Sequence, residues 1–306
     1  MPDFAATPAR LYTGALIVMG LLASACSPVN ILNAVISDKG YRLSSGVAYG
    51  ELARQRLDIY TPNAALTSQH ESQDKTANTS QATRKGLPVV VFFYGGSWDS
   101  GDRGSYKFIG EAITSQGFIA VIPDYRVYPE VLFPDFMQDP AQAAKWVKLH
   151  AAEFGGDPER VFLAGHSAGA HIAAMLVLDP EFLAQQASQP GDFAGMIGLA
   201  GPYDFLPLKS ERLKTIFGDQ EQRPKSQPIN YVTGHNPPML LMVGDKDGTV
   251  WPRNTYNLAA KIKAAGGPVE VAEFAGYGHI DMAAKLAKPL RDQRMLETIT
   301  AFIKQH

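Results

Sequence analysis

Three side chains spread along the sequence have the types and surroundings that nucleophilic acyl chemistry requires. Ser167 stands in Gly165-His166-Ser167-Ala168-Gly169, between the apolar stretch Val161-Phe162-Leu163-Ala164 and the helical pattern His171-Ile172-Ala173-Ala174-Met175-Leu176. A serine on a sharp strand-to-helix turn needs neighbours without bulk two positions to either side, because strand and helix close in on each other there. Gly165 and Gly169 leave that room. The helix N-terminus lends positive potential to a developing negative charge, and the backbone N–H of Ala168 is then placed to face an oxyanion. Without its flanks the five-residue pattern arises by chance, and a structural turn is the alternative; the strand before it and the helix after it favour a nucleophile.

A second donor is expected from Phe93-Tyr94-Gly95-Gly96-Ser97-Trp98, directly after the strand-like run Val89 to Phe92. Consecutive glycines let backbone N–H groups turn towards a site, so Gly96 and Ser97 are the expected donors opposite Ala168, with the assignment open by one position. A glycine-rich turn that merely closes a strand is the alternative, and Trp98 reads equally well as a core residue.

The apolar run Met239-Leu240-Leu241-Met242-Val243 leads into Gly244-Asp245-Lys246-Asp247-Gly248-Thr249-Val250, where either aspartate could reach a histidine on the next loop. Asp247 is preferred, because Asp-x-x-Val sends the valine back into the core and leaves the carboxylate in the crevice. His279, in Gly276-Tyr277-Gly278-His279, follows the strand-like Val269 to Phe274 and is the expected base. His150 sits in a helical stretch, His171 lies inside the helix after the serine, and His235 precedes a double proline with no strand before it. None of the three has the right place in the chain.

The order Ser167, Asp247, His279 is the one expected of the α/β-hydrolase arrangement rather than of other serine hydrolase folds. In such a set the histidine takes the serine proton, the alkoxide attacks a carbonyl carbon, and backbone donors hold the tetrahedral oxyanion. The aspartate fixes the imidazole tautomer, and water then cleaves the acyl-enzyme. This chemistry requires no metal or organic cofactor, and no His/Cys/Asp cluster with ligand spacing is visible.

The elements that must position these residues are legible as alternating patterns. Arg56 to Tyr60, Pro88 to Tyr94, Phe118 to Pro123, Val161 to Ala164, Met196 to Ala200, Met239 to Val243 and Val269 to Phe274 read as strands. Ala141 to Ala152, Gly169 to Leu178, Thr255 to Ala265 and Leu290 to Lys304 read as helices. Such alternation implies an α/β fold, a mostly parallel central sheet with helices on both faces, in a single domain over residues 26–306. Residues 62–86 are rich in Ser, Thr, Gln, Asn and Lys and read as a polar loop between strands. Residues 207–238, with several prolines and no strand periodicity, read as a small cap over the site.

With 306 residues, 45% hydrophobic and 19% charged, the chain is long enough to bury a sizeable core. A formal net charge of −2 gives no electrostatic reason to expect nucleic acid as a partner and suits a small-molecule substrate. The apolar run Leu11 to Ala25, preceded by Arg10 and ending in Leu22-Ala23-Ser24-Ala25-Cys26, has the pattern of a signal peptide over residues 1–25 and is short for a membrane span. Ala23-Ser24-Ala25 suits ordinary signal peptidase, whereas small residues before Cys26 resemble a bacterial lipobox. Cys26 is the only cysteine, so it has no disulfide partner within the chain, and lipid attachment would explain it. Export to the cell envelope with a lipid anchor at Cys26 is thus the favoured expectation over plain secretion or an uncleaved anchor, and that lipid is the expected membrane link.

From about Ala53 to the C-terminus the chain resembles bacterial carboxylesterases and feruloyl-type esterases of the α/β-hydrolase superfamily, and is also similar to arylformamidases. Beyond the motifs above, Asp124-Tyr125-Arg126, Phe133-Pro134, Gly155-Gly156-Asp157-Pro158 and Gly201-Pro202-Tyr203-Asp204 carry the likeness. The resemblance implies that residues 124–126 shape the core and the pocket floor. It also exposes a departure, since the histidine usual before the paired glycines is Tyr94 here, which puts the loop's supporting hydrogen bond in question. Hydrolysis of small or medium carboxylic esters is the expected activity. Arylformamidase-type amide hydrolysis and a non-catalytic envelope lipoprotein on the same scaffold are the alternatives.

Overall fold

A computed structural model of the chain describes residues 32–33, 36–37, 39–63 and 86–306. The leader expected over residues 1–25, Cys26 and positions 64–85 of the polar loop lie outside the described residues.

The consecutive apolar runs become strands buried on both faces. In β3 (Leu87–Phe93), β4 (Ile119–Pro123), β6 (Gly195–Leu199) and β7 (Met239–Gly244) nearly every position is buried. Because successive strand side chains point to opposite faces, such burial means that both faces are covered. With β1 (Tyr41–Ala48), β2 (Arg56–Pro62), β5 (Gly156–His166) and β8 (Val269–Phe274), they form one eight-stranded sheet in the order β1-β2-β4-β3-β5-β6-β7-β8. β2 runs antiparallel to both its neighbours, and all pairings from β4 to β8 are parallel. This is the mostly parallel sheet expected of an α/β-hydrolase.

From residue 86 on, the helices are α1 (Lys107–Thr114), α2 (Gln138–His150), α3 (Ala168–Leu178), α4 (Pro180–Ala184), α5 (Glu211–Ile216), α6 (Arg253–Ala264), α7 (Asp281–Ala284) and α8 (Gln293–Gln305). All of α3 is buried, and it packs against β5 and β6. α8 buries Met295, Leu296, Ile299, Phe302 and Ile303, the spacing of one helical face, and sets Phe302 edge-on to Phe162 of β5. It begins at Gln293 rather than Leu290 because Asp292 caps it, accepting from the Arg294 N–H.

Register is what assembles the site. Phe93 of β3 lies level with Gly165 of β5, Leu199 of β6 with Met242 of β7, and Gly244 of β7 with Phe274 of β8. The loops that follow these parallel strands therefore emerge side by side at one edge of the sheet, where open α/β sheets place their ligands. Residues 207–238 hold α5 and two 3₁₀ turns, Arg223–Ser226 and Pro228–Tyr231, with no strand, as expected for a cap. They join the body through the Phe133 N–H to Ile216 O and the Ile229 N–H to Tyr203 O.

Candidate active site

Ser167 occupies the turn between β5 and α3 with φ 56° and ψ −123°. This region is sparsely populated for a residue with a Cβ and costs on the order of 1–3 kcal/mol, so the surroundings must hold it. Its N–H donates to Leu199 O at 2.9 Å and its carbonyl accepts from the His171 N–H at 3.1 Å. The glycines are needed as the motif implies: a Cβ on Gly169 would stand 2.0 Å from Phe93 O, and one on Gly165 would stand 2.3 Å from the Gly169 backbone.

His279 Nε2 lies 2.8 Å from Ser167 Oγ, and its Nδ1 lies 2.8 Å from Asp247 Oδ2. The structure therefore brings the three expected residues into one hydrogen-bonded chain. With Nδ1–H donating to the carboxylate, Nε2 is left to accept from the serine hydroxyl. The other carboxylate oxygen of Asp247 accepts from the N–H groups of Thr249 and Val250, at 2.9 and 2.8 Å. The Asp247 carboxylate is fully buried and the His279 ring nearly so. Asp245, the other candidate, accepts instead from the Gly276 N–H and so ties the two loops together. The valine of Asp-x-x-Val is not where the sequence pattern puts it. Val250 does not return to the core: it lines the cavity and offers its N–H to the carboxylate.

A further histidine stands behind the base. His166, buried in the turn, donates from Nε2 to the backbone carbonyl of His279 at 3.0 Å, and the two rings lie 4.8 Å apart. Burial, reinforced by His279, pushes its pKa down to about 4, so it serves as a neutral donor. Its place in the five-residue motif was visible in the sequence, but nothing local predicts that it reaches the loop 113 residues away.

The expected oxyanion donors can be judged from peptide geometry. In a trans peptide the C=O and the following N–H point in opposite directions. The Gly96 carbonyl accepts from the N–H groups of Asp99 and Ser100 inside the loop, so the Ser97 N–H points the other way, and Ser97 lines the cavity. The Ser167 carbonyl is engaged by His171 within α3, so the Ala168 N–H likewise projects from the helix start. Ser97 and Trp98 hold left-handed backbone, φ 51° and 60°, which curls this loop tightly. Gly96, at φ 136°, could not carry a Cβ, since that atom would stand 2.3 Å from Ser100 O. Ser97 and Ala168 thus satisfy the orientation a donor pair needs, and the positive φ of Gly96, the other expected donor, sets the curvature of the loop.

Tyr94 runs away from the site. Its hydroxyl accepts from Arg54 at 2.9 Å and donates to Asp124 at 3.1 Å, and its ring stacks on Tyr125 at 4.6 Å. Arg54 also donates to Gly101 O and Tyr125 O, and Tyr125 donates to Tyr94 O, so the loop is held from beneath by this buried cluster. Burial next to Asp124 raises the Tyr94 pKa well above its ordinary value. Residues 124–126 belong to this core, with Asp124 paired to Arg103 and Arg126 to Asp139; they are not among the residues that line the cavity, contrary to the expected pocket floor. Trp98 is both things at once, buried and lining the cavity.

That cavity, of about 360 Å³, opens beside Ser167 and is walled by Trp98, Phe205, Leu208, Leu213, Val250 and Trp251 among others. Four of these come from the oxyanion loop and the strand-end loops, and Leu208 and Leu213 come from the cap. Among the described residues no group of three or more His, Cys, Asp or Glu is placed to hold a metal ion, and no helix is long and apolar enough to cross a membrane.

Comparison with known proteins agrees with this geometry. The BD-FAE family model matches residues 77–262. An Arabidopsis thaliana isoprenylcysteine alpha-carbonyl methylesterase is 28% identical over 270 residues, covering 80% of this chain and 58% of its own. Esterase LipC of Mycobacterium tuberculosis is 28% identical over 252 residues, covering 76% and 58%. The chain thus spans a little over half the length of the curated relatives it matches. Among solved structures, the apo form of Thermogutta terrifontis esterase 2 superposes with a TM-score of 0.67 at 26% identity, covering 88% of this chain and 96% of that one. Other structures of that esterase are described as propionate-bound and as phosphonylated by sarin. A carbohydrate esterase from gut microbiota shares the fold, with a TM-score of 0.68 at 18% identity.

Proposed function

The chain belongs to the BD-FAE family, and from that premise we propose that it is a serine carboxylesterase acting on small or medium esters. The observation that carries this reading is the relay from Ser167 through His279 to Asp247, seated on a strained turn beside a mostly apolar cavity. The names of the similar proteins, all ester hydrolases, support it. The propionate complex of the Thermogutta esterase supports the size of acyl group.

In this reading His279 Nε2 takes the Ser167 proton as Oγ attacks the ester carbonyl carbon. The charge that develops on the carbonyl oxygen is held by the N–H groups of Ala168 and Ser97, fixed before the reaction begins and so requiring no reorganisation. Asp247, anchored by two backbone donors, keeps Nδ1 protonated and stabilises the imidazolium. The imidazolium then protonates the departing alcohol, and water deprotonated by the same nitrogen cleaves the acyl-enzyme, restoring Ser167.

The leader pattern before Cys26 supports export and a lipid anchor at that cysteine. Turnover of p-nitrophenyl esters from acetate to octanoate, with fluorophosphonate labelling abolished by Ser167→Ala, tests the activity. A loss of kcat/KM of at least about 10³-fold is expected in that variant. Folded wild-type protein that neither turns over these esters nor takes the label would refute the proposal. Mass spectrometry of the mature N-terminus tests the anchor: a diacylated Cys26 is expected, and an unmodified N-terminus at any other residue overturns it.

A further inference from the structure

The cavity beside Ser167 is apolar in most of its wall, yet two of its lining residues are cations, Lys209 from the cap and Arg253 from the first position of α6, and none is acidic. Both charges gather on one ring: Lys209 Nζ stands 5.5 Å and Arg253 Cζ 5.0 Å from the centroid of Trp251, which also lines the cavity and is half-exposed. Their centres therefore lie within about one Debye length, ~10 Å at 0.1 M salt, and repel each other. Cation–π contact with the indole offsets part of that repulsion. Among the described residues neither forms an ion pair.

The acidic side chains nearby in sequence are engaged elsewhere. Asp99 is held by Arg212 at 2.6 Å and Glu211 by Lys214 at 2.7 Å; Asp204 keeps its charge, since it accepts from the neutral Asn257 amide at 2.7 Å, but it forms no ion pair with either cation. In a chain with a net charge of −2, two cations without an ion-pair partner, lining an apolar cavity that no acidic residue lines, form a local field of the opposite sign to the whole. Such a field is complementary to a ligand with an apolar body and an anionic end.

We infer that Lys209 and Arg253 select esters that carry a carboxylate, or another anionic group, at the end remote from the scissile bond. This rests on the serine esterase reading above and specifies its substrate class. The apolar wall would take the chain of the substrate, and the two cations its charged terminus. Neither cation touches the reacting atoms, so both are specificity-determining and not catalytic.

Two pairs of near-isosteric esters test this. On the acyl side, 4-nitrophenyl monoadipate is compared with 4-nitrophenyl 6-methylheptanoate. On the alcohol side, 4-acetoxybutyrate is compared with 4-methylpentyl acetate, followed by pH-stat. In at least one pair the anionic member is expected to have the higher kcat/KM, by about tenfold at low salt, the preference residing in KM and shrinking as salt is raised. The ratio of anionic to neutral kcat/KM should fall towards or below one in Lys209→Met, Arg253→Met and most of all in the double variant. If the neutral esters are hydrolysed but neither anionic partner is preferred, or the preference survives the double substitution, this inference is overturned and the esterase reading stands. If folded wild-type protein hydrolyses no member of either pair, the esterase reading itself falls, and this inference with it.

Discussion

The indole N–H of Trp98 donates to Nδ1 of His171 across 3.2 Å, with the two rings perpendicular and 5.1 Å apart. The bond joins the loop that carries Ser97 to the helix that follows Ser167. On its other side His171 donates from Nε2 to the Ser226 carbonyl of the cap at 2.8 Å. One neutral tautomer satisfies both partners, and no smaller side chain spans them. His171→Leu would leave a buried donor and a buried acceptor unpaired, at a cost of roughly 1–3 kcal/mol for each group. We expect a lower urea midpoint together with a fall in kcat of about tenfold, because the oxyanion loop loses a tether to the nucleophile helix. A double-mutant cycle with Trp98→Phe should show a coupling of about 1 kcal/mol. Strict additivity would mean that the bond carries no loop-positioning role.

Burial holds the pKa of His166 and of His171 at about 4, so both stay neutral in the folded protein over most of the acid range. In the unfolded chain they titrate near ~6.5. Above that pH neither state binds these protons and the two residues contribute nothing to pH dependence. As pH falls from ~6.5 towards 4 the unfolded chain takes up protons that the folded one refuses, and stability is lost. At pH 5 this amounts to roughly 2 kcal/mol per histidine. His166→Gln keeps a donor near His279 O but cannot titrate. Unfolding free energies from urea titrations at pH 7.5 and pH 5 should therefore show a smaller decline for that variant than for wild type, by about 2 kcal/mol. Equal declines would contradict the assignment of His166 as a neutral buried donor.

The sequence made some parts of this molecule legible and hid others for physical reasons. Of the seven strands from β2 to β8, those of the sheet interior such as β3, β4 and β7 were visible because a sheet covered on both faces demands continuous apolar runs, whereas β8, Val269–Phe274 at the other edge, was visible through its alternation of apolar and charged residues. β1 was not, since Tyr41–Ala48 is an edge strand with mostly exposed or half-buried positions and carries no such run. β5 extends five residues earlier than its apolar part, to Gly156, because Leu87 of β3 offers a partner there that no pattern encodes. α1 also went unread. Ser167, Asp247 and His279 were legible because each is fixed by what precedes it, a strand ending in a small-residue turn. His171 has no place in the catalytic order, and its tethering role depends on Trp98 and Ser226, 73 residues before it and 55 after it, which no local pattern links. The departure at Tyr94 became intelligible only in three dimensions, where its hydroxyl meets Arg54 and Asp124.

Gly169, beside the nucleophile, and Gly117 of the surface make a graded test of backbone constraint. A Cβ at Gly169 would lie 2.0 Å from a backbone oxygen of β3 that has no freedom to move, since β3 is central in the sheet. Gly117, at φ 83°, has nothing within 4 Å of the same atom, so alanine there meets only the left-handed backbone penalty. Gly117→Ala should lower stability by about 1–2 kcal/mol and leave kcat unchanged. Gly169→Ala should cost more than about 4 kcal/mol or prevent folding. Thermal melts of both variants check this, and a Gly169→Ala protein as stable as Gly117→Ala would disprove the close approach of α3 to β3.

Asp247 and Asp245 are two residues apart, and conservative substitution should separate their roles sharply. Oδ1 of Asp247 accepts from the N–H groups of Thr249 and Val250, so an asparagine there must keep its oxygen on that side. Its amide nitrogen is then forced towards His279 Nδ1, a donor facing a donor. The imidazole can relieve this only by becoming an acceptor at Nδ1, which moves its proton to Nε2 and leaves nothing to receive the Ser167 proton. We expect Asp247→Asn to fold like wild type, to bind substrate with little change in KM, and to lose about 10³- to 10⁴-fold in kcat. Asp245→Asn can still accept from the Gly276 N–H through its amide oxygen and should lose less than about tenfold. Steady-state kinetics on one ester decide the matter: a larger loss at position 245 than at 247 would transfer the orienting role to the other carboxylate.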